Sequence, residues 1–510
     1  MKTHYLLLIL IFGFLACRQD QQGKKFVEVV SPLYDTAIKP FYHGVASGDP
    51  LHDRVILWTR VTPEDAIASI SVTWEVAEDP SFNSVYRSDT TSTSALHDYT
   101  VKVDVDGLKP GRYYYYRFKA LGSTSVIGRT KTAAIEPDSV AFAIVSCSNW
   151  EFGYFNAYEK IAQRELDAVI HLGDYIYEYA VGGYGDTTIG RKHLPTHEIV
   201  TLADYRTRYS QYHLDRGLQQ ARQQHPFITI WDDHEVANNV FKEGAQNHQE
   251  GEEGTFAARK AAAMKAYYEW IPIRESKHHY RAFAYGNTAD LIMLDERLEG
   301  RTKPADSLKD PLLMSEQQSM LGEEQLAWLK TTLTQSKATW KIIGNQVIFS
   351  EVDQSGPYPS QPRNLDSWDG YPFEQKTVAS FLQSSKLNNV IFVTGDTHAS
   401  WAFEVADHQT YNPSSAKGAY AIELGTPSIS SSNWNEYTTD DTVKMSEQKL
   451  LKDNPHLKYG NARDHGYLLL KLNNEQAVAE WWYVNTLRAP SATETLGKRM
   501  FVKSNVYQLQ

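Results

Sequence analysis

Cysteine is nearly absent from this chain: its 510 residues include two, Cys17 and Cys147. That excludes a disulfide framework, so burial must hold the fold together. An excess of positive charge is missing as well. The formal net charge is −11, which gives no basic footprint for nucleic-acid binding. No internal repeat and no low-complexity tract is visible, so repeat architectures are set aside. What remains is an ordinary globular composition, 42% apolar. The chain is too long for one small core, and two domains are expected.

Long hydrophobic runs are also scarce, and the one at the N-terminus is short. Lys2 precedes an apolar run from Tyr5 to Ala16, and the polar Arg18-Gln19-Asp20-Gln21-Gln22 follows at once. Such a run does not span a bilayer and has the layout of an export signal. Its end, Phe14-Leu15-Ala16-Cys17, resembles a bacterial lipoprotein cleavage box, with Cys17 as the lipidated first residue. The expectation is a signal peptide at 1–16, a tether at 17–38, and an exported chain held by lipid in the cell envelope, on its periplasmic or outer face. A plain secretory peptide is the alternative, and the product is then secreted. With Cys17 consumed, Cys147 stands alone, either as an inert buried thiol or as a metal ligand.

From Phe41 to about Ala134 short alternating runs recur, such as Arg54–Thr59, Ser69–Val76 and Tyr99–Val105, separated by turn signals. Period-two alternation at this spacing predicts an antiparallel β-sandwich over 39–136. Within it, Asp106–Phe118 resembles the corner and following strand of a fibronectin type III-like domain. From Val140 apolar strands alternate with helical stretches such as Phe155–Leu166, Glu253–Trp270, Gly322–Ser336 and Phe373–Leu387. This predicts an α/β domain over 137–510 with a largely central sheet. Gly418–Leu424 and Gly466–Val484 return to alternation and are expected as antiparallel edge strands. The stretches 180–219 and 299–316 read as loops or short helices over a site.

Four strand ends carry ligand-type residues. They are Phe142–Val145 leading to Cys147, Asn149 and Trp150; Val169–Leu172 leading to Gly173, Asp174 and Tyr177; Phe227–Trp231 leading to Asp232-Asp233-His234-Glu235 and Asn238; and Val390–Thr394 leading to Asp396-Thr397-His398. Each places side chains just past an apolar run, where open α/β sheets put their sites. Singly each has a plain reading: Asp232 as a helix N-cap, His171 as a packed strand residue, Asp295 with Arg297 as an ion pair near the site. Jointly they point to a metal centre.

In this order the motifs resemble the calcineurin-like metallophosphoesterase superfamily, and within it the alkaline phosphatase D branch. The resemblance extends through Leu294–Arg297, Trp340–Gln346 and Trp368–Pro372. It implies an α/β (α+β) fold: the N-terminal sandwich, then a four-layer αββα metallophosphoesterase domain. It further implies a dinuclear-type centre. Asp174 would bridge two ions, and Cys147, Tyr177 and His398 would complete the first. Three anionic ligands suit a trivalent ion, and the family implies Fe³⁺. Asp233, Asp396 and Asn345 would hold the second, with Asn238 as a further candidate; an all-oxygen set suits Ca²⁺, which the family also uses. His234 would protonate the leaving oxygen, with Glu235 orienting its ring. Asn149 and Arg297 are secondary candidates for the metal or substrate shell.

The function so implied is hydrolysis of phosphate esters, mono- or diesters, by a metal-activated hydroxide outside the cytoplasm. The alternative is a lipid-anchored surface protein that binds glycans or polymers and keeps a closed, structural metal site.

Overall fold

The computed structural model describes residues 25–353, 364–406 and 410–510; the expected export signal and Cys17 lie outside them. Two sheets stacked face to face organise the chain. The first runs in the order Glu494–Lys503, Gln476–Val484, Gly466–Leu472, Val140–Val145, Ala168–His171, Pro226–Thr229, Val45–Gly48, Val55–Arg60, Thr100–Val105. Its middle strands, from Val140–Val145 to Val45–Gly48, are parallel to one another and its flanks antiparallel. The second sheet orders Arg281–Tyr285, Ala289–Met293, Trp340–Asn345, Val390–Thr394, Ala419–Gly425, Ser400–Ala406, Leu457–Asn461.

The parallel strands read as unbroken apolar runs because both of their faces are covered. Phe142, Ile144, Ile170 and Ile228 of the first sheet meet Leu291, Ile342, Ile391 and Val393 of the second. Ala143, Val145, Val169 and Phe227 point the other way, onto the helices Asn156–Ile161, Leu202–Tyr212, Arg216–Gln224 and Phe256–Trp270. The outer face of the second sheet is covered by Gly322–Gln335 and Pro372–Ser384. The layers are therefore helix, sheet, sheet, helix. Alternation alone predicts one central sheet; two are present because the strand run after residue 280 forms a sheet of its own.

The N-terminal sandwich is not free-standing. Val45–Gly48, Val55–Arg60 and Thr100–Val105 extend the first large sheet, and a smaller sheet of Ile70–Ala77, Val85–Thr93, Tyr113–Ala120, Ser123–Thr124 and Gly128–Lys131 lies over them. Val55, Leu57 and Val101 face Val72, Tyr116 and Phe118 across this junction. At the expected corner the Tyr114 hydroxyl accepts from the backbone N–H of Lys109 at 2.8 Å.

One local expectation needs correction. Ala419–Gly425 is not at an edge; it lies inside the second sheet, antiparallel to Ser400–Ala406 on one side and parallel to Val390–Thr394 on the other. The stretch 180–219, expected as loops or short helices, holds the helix Leu202–Tyr212 and the start of another, Arg216–Gln224, each buried on one side. The first is opened by a capping box at Thr201 and Asp204. Among the described residues, no helix is long and apolar enough to cross a membrane.

Candidate metal centre

All four ligand-bearing segments leave the carboxyl ends of parallel strands and meet between the two sheets. Three of the four turn sharply on leaving their strands. Cys147 (φ 60°), Asp174 (φ 55°), Asp396 (φ 62°) and His398 (φ 53°) all occupy the left-handed region. Such backbone costs side-chain-bearing residues of the order of 1–3 kcal/mol each and persists where the surroundings impose it. Gly173 shows how tight the turn is. Its φ is +103°, and a Cβ there would lie 2.4 Å from the Asp232 backbone nitrogen.

The turns are laced together. Cys147 N–H donates to the Gly173 carbonyl (3.1 Å) and Ser148 N–H to that of Asp174 (2.9 Å). The Cys147 carbonyl accepts from Ser430 and Ser431. Glu235 accepts from the backbone N–H groups of Tyr175 (2.5 Å), Asp232 (2.8 Å) and Asp174 (3.2 Å).

The side chains converge in three overlapping groups. Donor atoms of Cys147, Asp174 and His398 lie within 4.8 Å of one another; so do those of Asp174, Asp233 and His234, and those of Asp232, Asp233 and Asp396. Asp174 and Asp233 each belong to two groups. Tyr177 joins the first, its hydroxyl donating to Asp174 Oδ2 at 2.9 Å and standing 3.4 Å from His398 Nε2. His398 Nδ1 donates to the Ser432 carbonyl at 2.8 Å. That bond fixes the tautomer and leaves Nε2, on the Tyr177 side, free to bind.

The donor set fits metal ions. A thiol, a phenol, an imidazole and a carboxylate surround one position, and carboxylates alone the next. Asp174 Oδ1 and Asp232 Oδ2 are buried with no hydrogen-bond partner among the described residues. Orphaned buried oxygens of this kind are costly unless a cation meets them. The electrostatics agree. Burial, and then the Asp174 charge, pushes the Cys147 thiol and the Tyr177 phenol well up. Burial likewise raises Asp174 despite the opposing pull of His234. It lifts Asp396 to about 7 and Asp232 to about 8, with Arg297 opposing in both. Asp233 departs downward: burial would raise it, but His234 and Arg297 outweigh that. His398 is held neutral, at about 4, chiefly by burial.

His234 is oriented by a residue that sequence reasoning missed. Its Nδ1 bonds to Glu178 Oε2 at 2.7 Å; the expected partner, Glu235, is committed to backbone N–H groups instead. Burial lowers the imidazole's pKa, but Asp233, Glu178 and Asp174 more than reverse this, so it is held well up. These two glutamates separate experimentally. Glu235→Gln turns an amide toward three N–H donors and is expected to cost about 1–3 kcal/mol of stability, read by denaturant melts. Glu178→Gln is expected to leave stability closer to wild type and to lower turnover roughly 10–100-fold. The reverse ranking would reject this assignment.

The other expected residues have these partners. Asn345 Oδ1 accepts from Trp368 Nε1 at 3.1 Å, and its amide donates to the Val347 carbonyl, so its oxygen is already engaged. The Asn238 side chain donates to Gln246. Asn149 spans Tyr184 and Glu151, shaping the loop after Cys147. Arg297 does not pair with the Asp295 carboxylate by its guanidinium. It reaches Asp232 (2.5 Å), Asp366 (2.8 Å) and Asp396 (3.4 Å), while Asp295 accepts from backbone N–H groups and Trp231. Asp232 caps no helix, since turns follow it. His171 is packed against Tyr175, as expected.

Known proteins resemble this chain over most of its length. Residues 142–481 match the family model of the PhoD-like phosphatase, and residues 29–134 that of the PhoD-like phosphatase N-terminal domain. Alkaline phosphatase D of Bacillus subtilis (strain 168) is 37% identical over 477 residues, 89% of this chain and 79% of that protein. The solved structure of PhoD superposes with a TM-score of 0.85 at 34% identity, covering 93% of this chain and 92% of that one. Fold, site and relatives together define a phosphoric ester hydrolase. The chain belongs to the PhoD-like phosphatase family. The binding-protein alternative is thereby set aside.

Proposed function

We propose that this chain hydrolyses phosphate mono- or diesters outside the cytoplasm at a pair of metal ions, iron beside Cys147 and calcium beside Asp396. The observation that carries this reading is the sharing of Asp174 and Asp233 between neighbouring donor groups. Cys147, Tyr177, Asp174 and His398 would hold a trivalent ion, balancing three anionic ligands. Asp174, Asp233 and Asp396 would hold a hard divalent one, since oxygen donors alone suit calcium. When bound, such a pair supplies positive charge to the phosphoryl oxygens and lowers the pKa of water.

The chain's own residues do the rest. Asp174, shared by two of the donor groups, would contribute to holding both ions. Arg297 ties Asp232 and Asp396 into one array. His234, kept protonated beside Glu178, delivers a proton to the leaving oxygen. Tyr184, 3.4 Å from His398 Nδ1 and 2.7 Å from Ser432 Oγ, steadies the imidazole from behind.

Metal analysis of the purified protein tests the assignment, together with its visible spectrum. Iron near one per chain is expected, with a phenolate-to-iron absorption that Tyr177→Phe bleaches. Iron-free protein that is fully active, or a spectrum unchanged by Tyr177→Phe, would remove iron from the proposal. Export and lipid anchoring rest on Lys2, the run Tyr5–Ala16 and Cys17. Cys17→Ala should move the protein out of the membrane fraction; unchanged partitioning would reject the anchor.

A further inference from the structure

Asp396 and Thr397 help to line a cavity of about 230 Å³ beside the ligand-bearing segments. Its apolar wall is Ile348, Val352, Trp401, Trp434 and Leu450. We infer that this cavity seats the alcohol portion of the ester, as a planar, largely apolar group of about one ring. The inference rests on the phosphoesterase reading and adds a substrate preference to it.

Position is the first reason. Asp396 belongs both to the carboxylate group with Asp232 and Asp233 and to the cavity wall. A phosphoryl group held at the carboxylates therefore has this cavity as its neighbour. The walls are also built on the ligand segments themselves. Trp401 Nε1 donates to the Oγ1 of Thr397, the residue between Asp396 and His398, at 2.8 Å. Trp434 follows by two residues Ser432, whose carbonyl receives His398 Nδ1. Whatever fixes the ligands fixes the pocket.

Shape and charge choose the occupant. The Trp401 and Trp434 rings meet edge to face, centroids 6.1 Å apart at 60°, which leaves a corner suited to a third flat ring. Among the described residues, no lysine, arginine or histidine lines the cavity. Among those residues, a second phosphate would meet Asp396 and Asp369 with no cation to receive it.

The test compares benzyl phosphate with ethyl phosphate, esters of similar leaving ability, on the metal-loaded full chain. Wild type should favour the benzyl ester through a lower KM. Trp434 is half-buried, so Trp434→Ala should fold, and it should cut the benzyl-over-ethyl preference in kcat/KM about tenfold, the loss falling in KM. Trp434→Phe should restore most of it. No wild-type preference for benzyl, or a preference unchanged by Trp434→Ala, would overturn the inference. Calorimetric binding of benzyl and ethyl phosphonates reads the same preference without turnover. Failure of all ester hydrolysis with benzyl phosphonate still favoured would therefore strike the phosphoesterase reading and leave the pocket standing.

Discussion

Asp174→Asn should abolish most activity while making the metal-free protein more stable. The loss is expected to be at least about 10³-fold in kcat/KM, since on the proposed reading a shared carboxylate would position both cations, whose charge would supply several kcal/mol to the transition state. The stability gain has a different origin. Asp174 and Asp232 are buried with Asp396 part-buried beside them, and desolvation raises all three above ordinary carboxylate values, Asp396 to about 7 and Asp232 to about 8. A raised folded-state value means that stability is fully present below the unfolded value, near ~4 for an aspartate. It is then lost as pH climbs through the folded one. Metal-free wild type should therefore weaken between about pH 4 and pH 8. The amide of the Asp174→Asn variant carries no charge to bury. Its metal-free melting midpoint should exceed wild type by a few degrees at about pH 8, the difference closing near about pH 4. With metal restored, wild type should regain the lead. A variant equally destabilised at both pH values and in both metal states would mean that Asp174 holds the turn and not the ions.

That opposition between stability and chemistry also explains which parts of the site were legible in the sequence. Cys147, Asp174, Tyr177, Asp233, His234, Asp396 and His398 stand within a few residues of apolar strand ends, and the carboxyl ends of parallel strands in a layered fold converge by topology. The strands themselves were visible because burial on both faces demands unbroken apolar runs. The partners that tune those residues were not visible. Glu178 meets His234 across 56 positions, and Arg297 meets Asp366 across 69. Such pairings are set by three-dimensional proximity, and no periodicity records them. Glu235 misled for a related reason: adjacency in sequence suggested a bond to His234, whereas the turn points its carboxylate at the N–H groups of the neighbouring loop. The segment Tyr175–Tyr179 illustrates a softer signal. Its alternation of phenols with Ile176 and Glu178 hid an acid, 0% exposed, that only a charged partner justifies.

His234→Asn is expected to cost ~10²–10⁴-fold in kcat for esters of alkyl alcohols, because their leaving oxygen must be protonated as it departs. Esters of acidic phenols leave without that help, so for them the loss should shrink toward about tenfold or less. The pH profile adds an independent reading. Protonated imidazole is the active form, so turnover should fall as pH rises through the His234 pKa. Cations bound as proposed would neutralise Asp174 and Asp233, which would leave Glu178, 2.7 Å away, as the anion still supporting the imidazolium. Glu178→Gln should then bring the alkaline fall to lower pH, and His234→Asn should erase it. An equal loss for alkyl and phenol esters, with the alkaline limb unmoved in both variants, would strip His234 of the proton-donor role. It would leave the cations alone to carry the leaving group.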